Sequence, residues 1–298
     1  MQHTVHKKCP VCGSSRIRHD LKCRDHLVSG MVFPVDKCLD CGLGFTQHIP
    51  SGDVMGTFYK SENYVSHTDT RKGMVNQLYH RVRTIMLSRK QKLVEQYTRE
   101  RKGKLLDIGC GTGYFISHMQ KAGWEVHGVE PDPDARKLAE KLIKQPVSDV
   151  EGLFQLENAG ADVVTMWHVL EHVEDPASYL ARIHALLKDG GYFIAAVPNH
   201  QSFDAKVYKE YWAAYDVPRH LWHFSPDSIR KLTEAQGFRL VGKQRMPFDS
   251  FYVSILSEKN KKRSFALFLG AVNGGLSYLQ SLVNINKSSS LIYIFRKY

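Results

Sequence analysis

The chain has 298 residues, 43% of them apolar, and a formal net charge of +11; this composition excludes a disordered polymer and fills a sizeable core with room for a small accessory module. The first residues, MQHTVHKKCP, lack the apolar stretch of a signal peptide, and no uninterrupted run of about 18 apolar residues follows, so the expectation is a cytoplasmic protein. Four of the six cysteines form two Cys-x-x-Cys pairs, a spacing suited to metal binding in a reducing compartment rather than to a disulfide framework, which leaves Cys23 and Cys110 as free thiols.

Residues 1 to about 50 read as a separate small module. Cys9-Pro10-Val11-Cys12-Gly13 and Cys38-Leu39-Asp40-Cys41-Gly42 are matching knuckles with glycine after each pair, where a turn tightens around sulfur ligands. Four thiolates close a tetrahedral site, so Cys9, Cys12, Cys38 and Cys41 are expected to hold a structural Zn2+ rather than a water-activating one.

Residues 51–103 read as a helical linker or lid. Val75, Leu78, Val82, Ile85, Met86, Leu93 and Val94 recur at spacings near three and four, which predicts one long or two shorter amphipathic helices. Arg71 to Lys104 carries eleven Lys/Arg against Glu95 and Glu100, a concentration that suits an anionic partner such as RNA or a membrane surface, or simply a solvated helix face.

From Lys104 onward short apolar runs (KLLDI, EVHGV, ADVVTM, YFIAAV) alternate with helical patterns, which predicts an α/β domain over 104–298: a doubly wound, mostly parallel, seven-stranded sheet whose last strand, LIYIF at 291–295, runs antiparallel. The helix at Pro176 takes Asp175 as N-cap and is expected to end at Gly190-Gly191; a second opens at Ser225-Pro226 and closes at Gly237. Segments 199–224 and 247–290 are then insertions at the sheet edge, read as lids over a pocket.

The chemistry concentrates at LLDIGCGTG. Gly109, Gly111 and Gly113 lie where a strand turns into a helix and a ligand must approach the backbone. A nicotinamide loop wants Gly or Ala after Gly113, where Tyr114 stands, and Asp107 before the loop suits a cationic, sulfonium-bearing ligand better than a pyrophosphate. Glu130 follows 17 residues after Gly113, at the end of the second strand, where a carboxylate can take two ribose hydroxyls.

With Asp107 to Gly113 reading D-x-G-x-G-x-G, Glu130, and DVVTMWHVLEHVEDP at 162–176, the region from about Lys104 to Val241 resembles class I S-adenosylmethionine-dependent methyltransferases. The resemblance implies that Asp107 and the loop backbone, Gly109, Cys110, Gly111 and Gly113, surround the methionine part of S-adenosyl-L-methionine, Glu130 the ribose and Asp149 the adenine edge, with Trp167 a further cofactor contact. It also implies in-line attack by an acceptor on the methyl carbon, with a base needed only if the acceptor must lose a proton. The cysteine module resembles a zinc ribbon, found both in RNA-binding methyltransferases and in sugar C-methyltransferases, so it does not choose an acceptor.

His168-Val169-Leu170-Glu171-His172 also spells the H-x-x-E-H zinc motif of a peptidase class, but Glu174-Asp175-Pro176 starts a new helix at once, so a continuous motif helix is not expected. His172, in a loop leaving the sheet's ligand-binding edge, is a candidate catalytic base or a packing residue. His220 is the second candidate. It lies in the loop that also holds Tyr208, Tyr211, Trp212, Tyr215, Asp216, Arg219, Trp222 and His223, an aromatic and charged set expected to overhang the cofactor as an acceptor pocket.

In the 247–290 insertion, KNKKR precedes FALFLGAVNGGLSYLQSLV, too polar for a membrane span but compatible with peripheral membrane contact or a lid, of which the lid is favoured by loop position. The resulting expectation is a methyltransferase acting on a small molecule: a sugar, a glycan precursor or a quinone-like ring. An RNA methyltransferase using the basic helices and the ribbon is the alternative enzyme, and a cofactor-binding protein without turnover the alternative of another class. The sequence does not define the oligomeric state.

Overall fold

The computed structural model describes residues 3–59 and 74–298, with the backbone alone for His3, Asp53 and residues 74–81. The N-terminal part forms β1 (His3–Thr4), β2 (Ile17–Arg24), β3 (Val32–Cys38), β4 (Gly44–Thr46) and β5 (Ile49–Pro50), followed by α1 (Gly52–Met55) and the long α2 (Met74–Thr98). Then come β6 (Lys104–Ile108), α3 (Tyr114–Lys121), β7 (Glu125–Val129), α4 (Pro133–Ile143), α5 (Val150–Gln155), β8 (Ala161–Trp167), α6 (Pro176–Leu186) and β9 (Leu187–Pro198). The chain closes with α7 (Phe203–Tyr208), β10 (Trp222–His223), α8 (Pro226–Glu234), β11 (Phe238–Arg245), α9 (Asp249–Asn260), α10 (Ala266–Val283) and β12 (Ser290–Lys297).

The main sheet runs β11-β12-β9-β8-β6-β7. β7, β6, β8 and β9 are parallel neighbours, and β12 is antiparallel to both β9 and β11, as expected of the closing strand. Six strands are described where seven were expected; beyond β7, Ser148 makes only an isolated parallel bridge to Val129 before Asp149 caps α5.

Adjacent strand residues point to opposite faces, and the two cores show it. Leu105, Val163, Ile194 and Ile292 pack with Leu93 and Val94 of α2, Phe115 and Ile116 of α3 and Ile143 of α4. Their neighbours Leu106, Val164, Ala195 and Tyr293 pack on the other face with Leu180 and Ile183 of α6 and Ile229 and Leu232 of α8. Continuous apolar strands therefore follow from burial on both faces.

Helix starts were legible: Asp175 accepts from Ala177 N and Ser178 N at 3.1 Å, and Ser225 makes a capping box with Ser228. The end of α6 was not. It stops at Leu186 rather than at Gly190-Gly191, because Leu187 already extends and pairs with Ala161, and the glycines fall inside a bulge that resumes pairing at Val163 and Tyr192. The predicted helix over 71–101 is one helix from Met74; the side chains of Val75 and Leu78, and all of Arg71 and Lys72, lie outside the described residues.

The cysteine module is not a separate unit. β4 pairs on one side with β3 and on the other with β10, giving a sheet β10-β4-β3-β2 that takes its edge strand from the loop after β9. Cys9, Cys38, Cys41, Leu43 and Phe45 belong to the same buried cluster as α6 and α8. A third cluster joins Phe33 and Val35 of β3 to Tyr208, Trp212 and Tyr215. These aromatics are each 4% exposed or less, so they weld module to domain rather than overhang a pocket as expected. Each large side chain so buried contributes roughly 1.5–3 kcal/mol.

Candidate active site

The glycine loop joins β6 to α3 at the carboxyl edge of the parallel strands, where open α/β sheets bind ligands. Gly113 has φ +82°, and a Cβ there would lie 2.8 Å from Ala139 Cα of α4, so the turn and the helix packing both require glycine. Gly111 has φ +55° and nothing within 4 Å of a built Cβ, which leaves an open cradle over its backbone. Cys110 contributes backbone only: its sulfur faces inward, 2.8 Å from the point where Gly128 would carry a Cβ, and burial raises its thiol pKa.

Asp107, next to last in β6, lies opposite Thr165 of β8, whose hydroxyl donates to the carboxylate at 2.5 Å. Burial at 2% exposure pushes its pKa up to about 7 against the stabilising Thr165 hydrogen bond and the charge of Lys90. Lys90, from α2, reaches the same space: its Nζ is 4.1 Å from the Trp167 ring centroid. Burial drives its pKa down to about 8, opposed by Asp107 and Asp249. Trp167, half-buried at the end of β8, meets Phe115 edge-on at 5.3 Å, and its indole N–H has no hydrogen-bond partner. Glu130 follows β7 as expected and accepts from Gly111 N at 2.7 Å and Asp132 N at 3.0 Å, one bond to each oxygen. Asp149 lies exposed, with one oxygen capping α5 through Gly152 N at 2.8 Å.

The histidines form a second cluster beyond β8. H-x-x-E-H is not helical: His168 has φ +59°, and residues 168–175 are turns and loop. His168 lies 3.4 Å from Glu171 Oε1 and 3.3 Å from Asp249 Oδ2. Burial opposes its protonation, but the two carboxylates outweigh it and raise its pKa to about 10. His172 and His220 meet edge to face at 4.5 Å. His172 Nδ1 faces the Arg219 carbonyl at 3.1 Å and His220 Nδ1 the Ala214 carbonyl at 2.9 Å. A carbonyl only accepts, so in the neutral rings both protons sit on Nδ1 and both Nε2 atoms offer lone pairs. Burial and the nearby His220 lower the His172 pKa to about 4.

Glu171, 1% exposed, has no hydrogen bond to either carboxylate oxygen, and ligand atoms of Glu171, His172 and His220 lie within 4.8 Å of one another. Two imidazoles and a carboxylate so arranged could hold a divalent ion. The four module cysteines form the other such group. Cys9 Sγ is 3.5 Å from Cys41 Sγ and Cys12 Sγ 3.6 Å from Cys38 Sγ, spacings compatible with a tetrahedral thiolate centre.

Sequence reasoning brought Asp107, the glycines, Glu130, Trp167, His172 and His220 to one sheet edge. It missed Lys90, Thr165, Glu171 and Asp249 as members. The run in which Lys90 lies suits an outside anionic partner or a solvated face, yet Lys90 turns inward and Arg83 and Arg89 lie over the Tyr114 and Phe248 rings. Thr165 is the register partner of Asp107 on the neighbouring strand.

Residues 78–243 match the family model described as Methyltransferase domain. A ubiquinone biosynthesis O-methyltransferase of Cereibacter sphaeroides is 31% identical over 158 residues, 49% of this chain and 64% of that protein. The protein so named in Dinoroseobacter shibae is 32% identical over 159 residues, with the same coverage of 49% and 64%. The match thus spans less than two thirds of these relatives' length. Among solved structures, a SAM-dependent methyltransferase from Archaeoglobus fulgidus aligns with TM-score 0.51 and 19% identity over 80% of this chain and 100% of that one. Phosphoethanolamine N-methyltransferase 2 of Haemonchus contortus, in complex with S-adenosyl-L-methionine, aligns with TM-score 0.50 and 19% identity over 70% and 52%. These two likenesses concern the fold alone.

Proposed function

The chain belongs to the methyltransferase-domain family, and from that premise we propose that it transfers a methyl group from S-adenosyl-L-methionine to a hydroxyl of a small, quinone-like acceptor. The observation that carries the reading is the convergence of buried Asp107, the open Gly111 cradle and Glu130 on one sheet edge. Asp107 and Lys90 offer opposite charges, suited to the ammonium and carboxylate of an amino-acid moiety. Each Glu130 oxygen takes one backbone N–H and keeps lone-pair capacity for a ribose hydroxyl. Trp167 and Phe115 form an apolar wall, and Asp149 borders the far end of this edge beside the Val129–Ser148 bridge. The cofactor supplies an electrophilic methyl group; the chain supplies position.

On the acceptor side, a hydroxyl must lose its proton as it attacks. Nε2 of His172, or Nε2 of His220, which faces Asp216 Oδ2 at 4.0 Å, is the group to take it, and the names of the O-methyltransferase relatives support an oxygen as the acceptor atom. Glu171, paired with His168 through Oε1 and with no hydrogen bond to Oε2, favours a second version, in which Glu171, His172 and His220 hold a divalent ion. Such an ion supplies Lewis-acid chemistry, lowering the pKa of a bound hydroxyl. Zn2+ on Cys9, Cys12, Cys38 and Cys41 is structural in this account, since four thiolates leave no open position.

The test is a panel of catechols, hydroquinones and sugars incubated with labelled methyl donor and the purified chain. Methyl ethers of a phenolic acceptor are expected. Donor binding without product from any small molecule would return the chain to the class of non-catalytic binders.

A further inference from the structure

We propose that the α9–α10 hairpin and the tip of the β2–β3 hairpin form one surface that docks on an anionic lipid bilayer. The inference stands independently of the acceptor and of methyl transfer.

α10 is built inside out for a helix in water. Its inward stripe is small and polar: Gly270, Gly274, Ser277 and Ser281 are buried, and a Cβ at Gly270 or Gly274 would lie 2.4 Å from Ile255 Cα or 2.6 Å from Phe251 Cα of α9. Its outward face holds Leu267, Phe268, Val272, Leu276, Leu279 and Val283, with Phe268 68% and Val283 89% exposed. No Asp, Glu, Lys or Arg interrupts Ala266–Val283, and, contrary to the expectation that it is too polar for a span, its length and composition alone would let it cross a bilayer. Close packing on α9 argues instead that it lies along a surface with only the outer face in lipid. Contiguous exposed apolar area of this kind marks an interaction face rather than ordinary surface.

The second element is the module's hairpin tip, where Leu27, Val28, Met31 and Val32 are all exposed. It stands beside the α9–α10 turn: the His26 ring is 6.2 Å from the Tyr211 ring, and Lys261 Nζ is 5.8 Å from that same ring. Between the two apolar patches lie Lys259 at the end of α9 and Lys261, Lys262 and Arg263 in the turn towards α10. Arg263 is drawn to buried Glu258 at 3.7 Å, while Lys259 and Lys262 stay exposed. Apolar side chains flanked by lysines are complementary to acyl chains beneath anionic headgroups. A soluble protein partner would satisfy the apolar faces but would not call for lysines at the boundary between them.

The experiment is sedimentation of the full-length, zinc-loaded protein with phosphatidylcholine vesicles, with and without phosphatidylglycerol. Binding to the anionic vesicles, weakened by salt, is expected. Phe268→Asp with Leu276→Asp, and separately Val28→Asp with Met31→Asp, should each reduce partitioning by roughly tenfold or more. Lys259→Glu with Lys262→Glu should abolish the preference for anionic vesicles. Circular dichroism and donor affinity check that each variant is folded. Absence of sedimentation with anionic vesicles at low salt, or partitioning indifferent to all three pairs, overturns the proposal. So does a dimer in light scattering that Phe268→Asp dissociates, because a second copy would then cover the face.

Discussion

Arg219, in the loop that carries His220, forms a 2.9 Å ion pair with Asp25, just past the end of β2, and their side chains are 1% and 0% exposed. Arg219 also engages Asp216 at 2.6 Å and donates to the Phe58 carbonyl at 3.0 Å. The cysteine module therefore reaches the histidine loop through a desolvated charge network as well as through the β4–β10 pairing. Stranding one charge of a buried pair costs about 3–5 kcal/mol, but Arg219 keeps Asp216 when Asp25 is removed and Asp25 keeps the Ser29 donors when Arg219 is removed. Asp25→Ala and Arg219→Ala should therefore each lose stability in urea titrations, by less than that full cost. In the milder Asp25→Asn, acceptor turnover should fall more than donor affinity, because the glycine loop lies elsewhere.

Metal loss should travel the same route. Metal analysis is expected to find zinc bound in the intact chain and lost in Cys38→Ser. Because β4 pairs Phe45 with Trp222 and Gly44 with His223, chelation should speed amide exchange at 222–223 as well as within the module. Fast exchange confined to residues 3–50 would show that the module does not brace the loop.

The Glu171 cluster separates two chemistries. If an ion sits there, Mn2+ should bind to the zinc-loaded protein, Glu171→Gln should abolish that binding, and chelation should slow turnover while the cysteine site stays filled. Turnover indifferent to chelators would leave Nε2 of His172 or His220 as the base.

His168 sets a pH dependence. Its folded pKa of about 10 lies above the ordinary 6.5 because the carboxylates of Asp249 and Glu171 outweigh its desolvation. A raised histidine stabilises fully below the unfolded value and loses that contribution as pH rises through the folded one. Stability should therefore decline between about pH 6.5 and about pH 10 more steeply in the wild type than in His168→Gln. Parallel profiles would remove the ion pair from the account.

The donor half of the site was legible in sequence because it is local. A turn that only glycine can make, a carboxylate before it and another at the next strand end lie within Asp107–Glu130, and chain order alone brings them together. What was hidden depends on packing between distant segments. Lys90 looked like one more cation in a basic run, and Asp249 like the start of a lid; only the positions of α2 and α9 bring them to Asp107 and His168. Tyr208, Trp212 and Tyr215 misled for the same reason, since a sequence shows that they must be covered but not whether ligand or module covers them. The end of α6 failed because Gly190-Gly191 serves a strand bulge, a use that resembles a helix stop until the partner strand is known.

Methyl transfer by this chain requires that the edge formed by Asp107, Gly111 and Glu130 bind a methyl donor. Calorimetric titration of the full chain with S-adenosyl-L-methionine and with S-adenosylhomocysteine tests it most directly, alongside Gly111→Val, which fills the cradle, and Glu130→Ala. Saturable one-to-one binding of both ligands by the wild type is expected, with at least roughly tenfold weaker binding by each folded variant. A folded wild-type chain that takes up neither ligand, or variants that bind as tightly as the wild type, would contradict it.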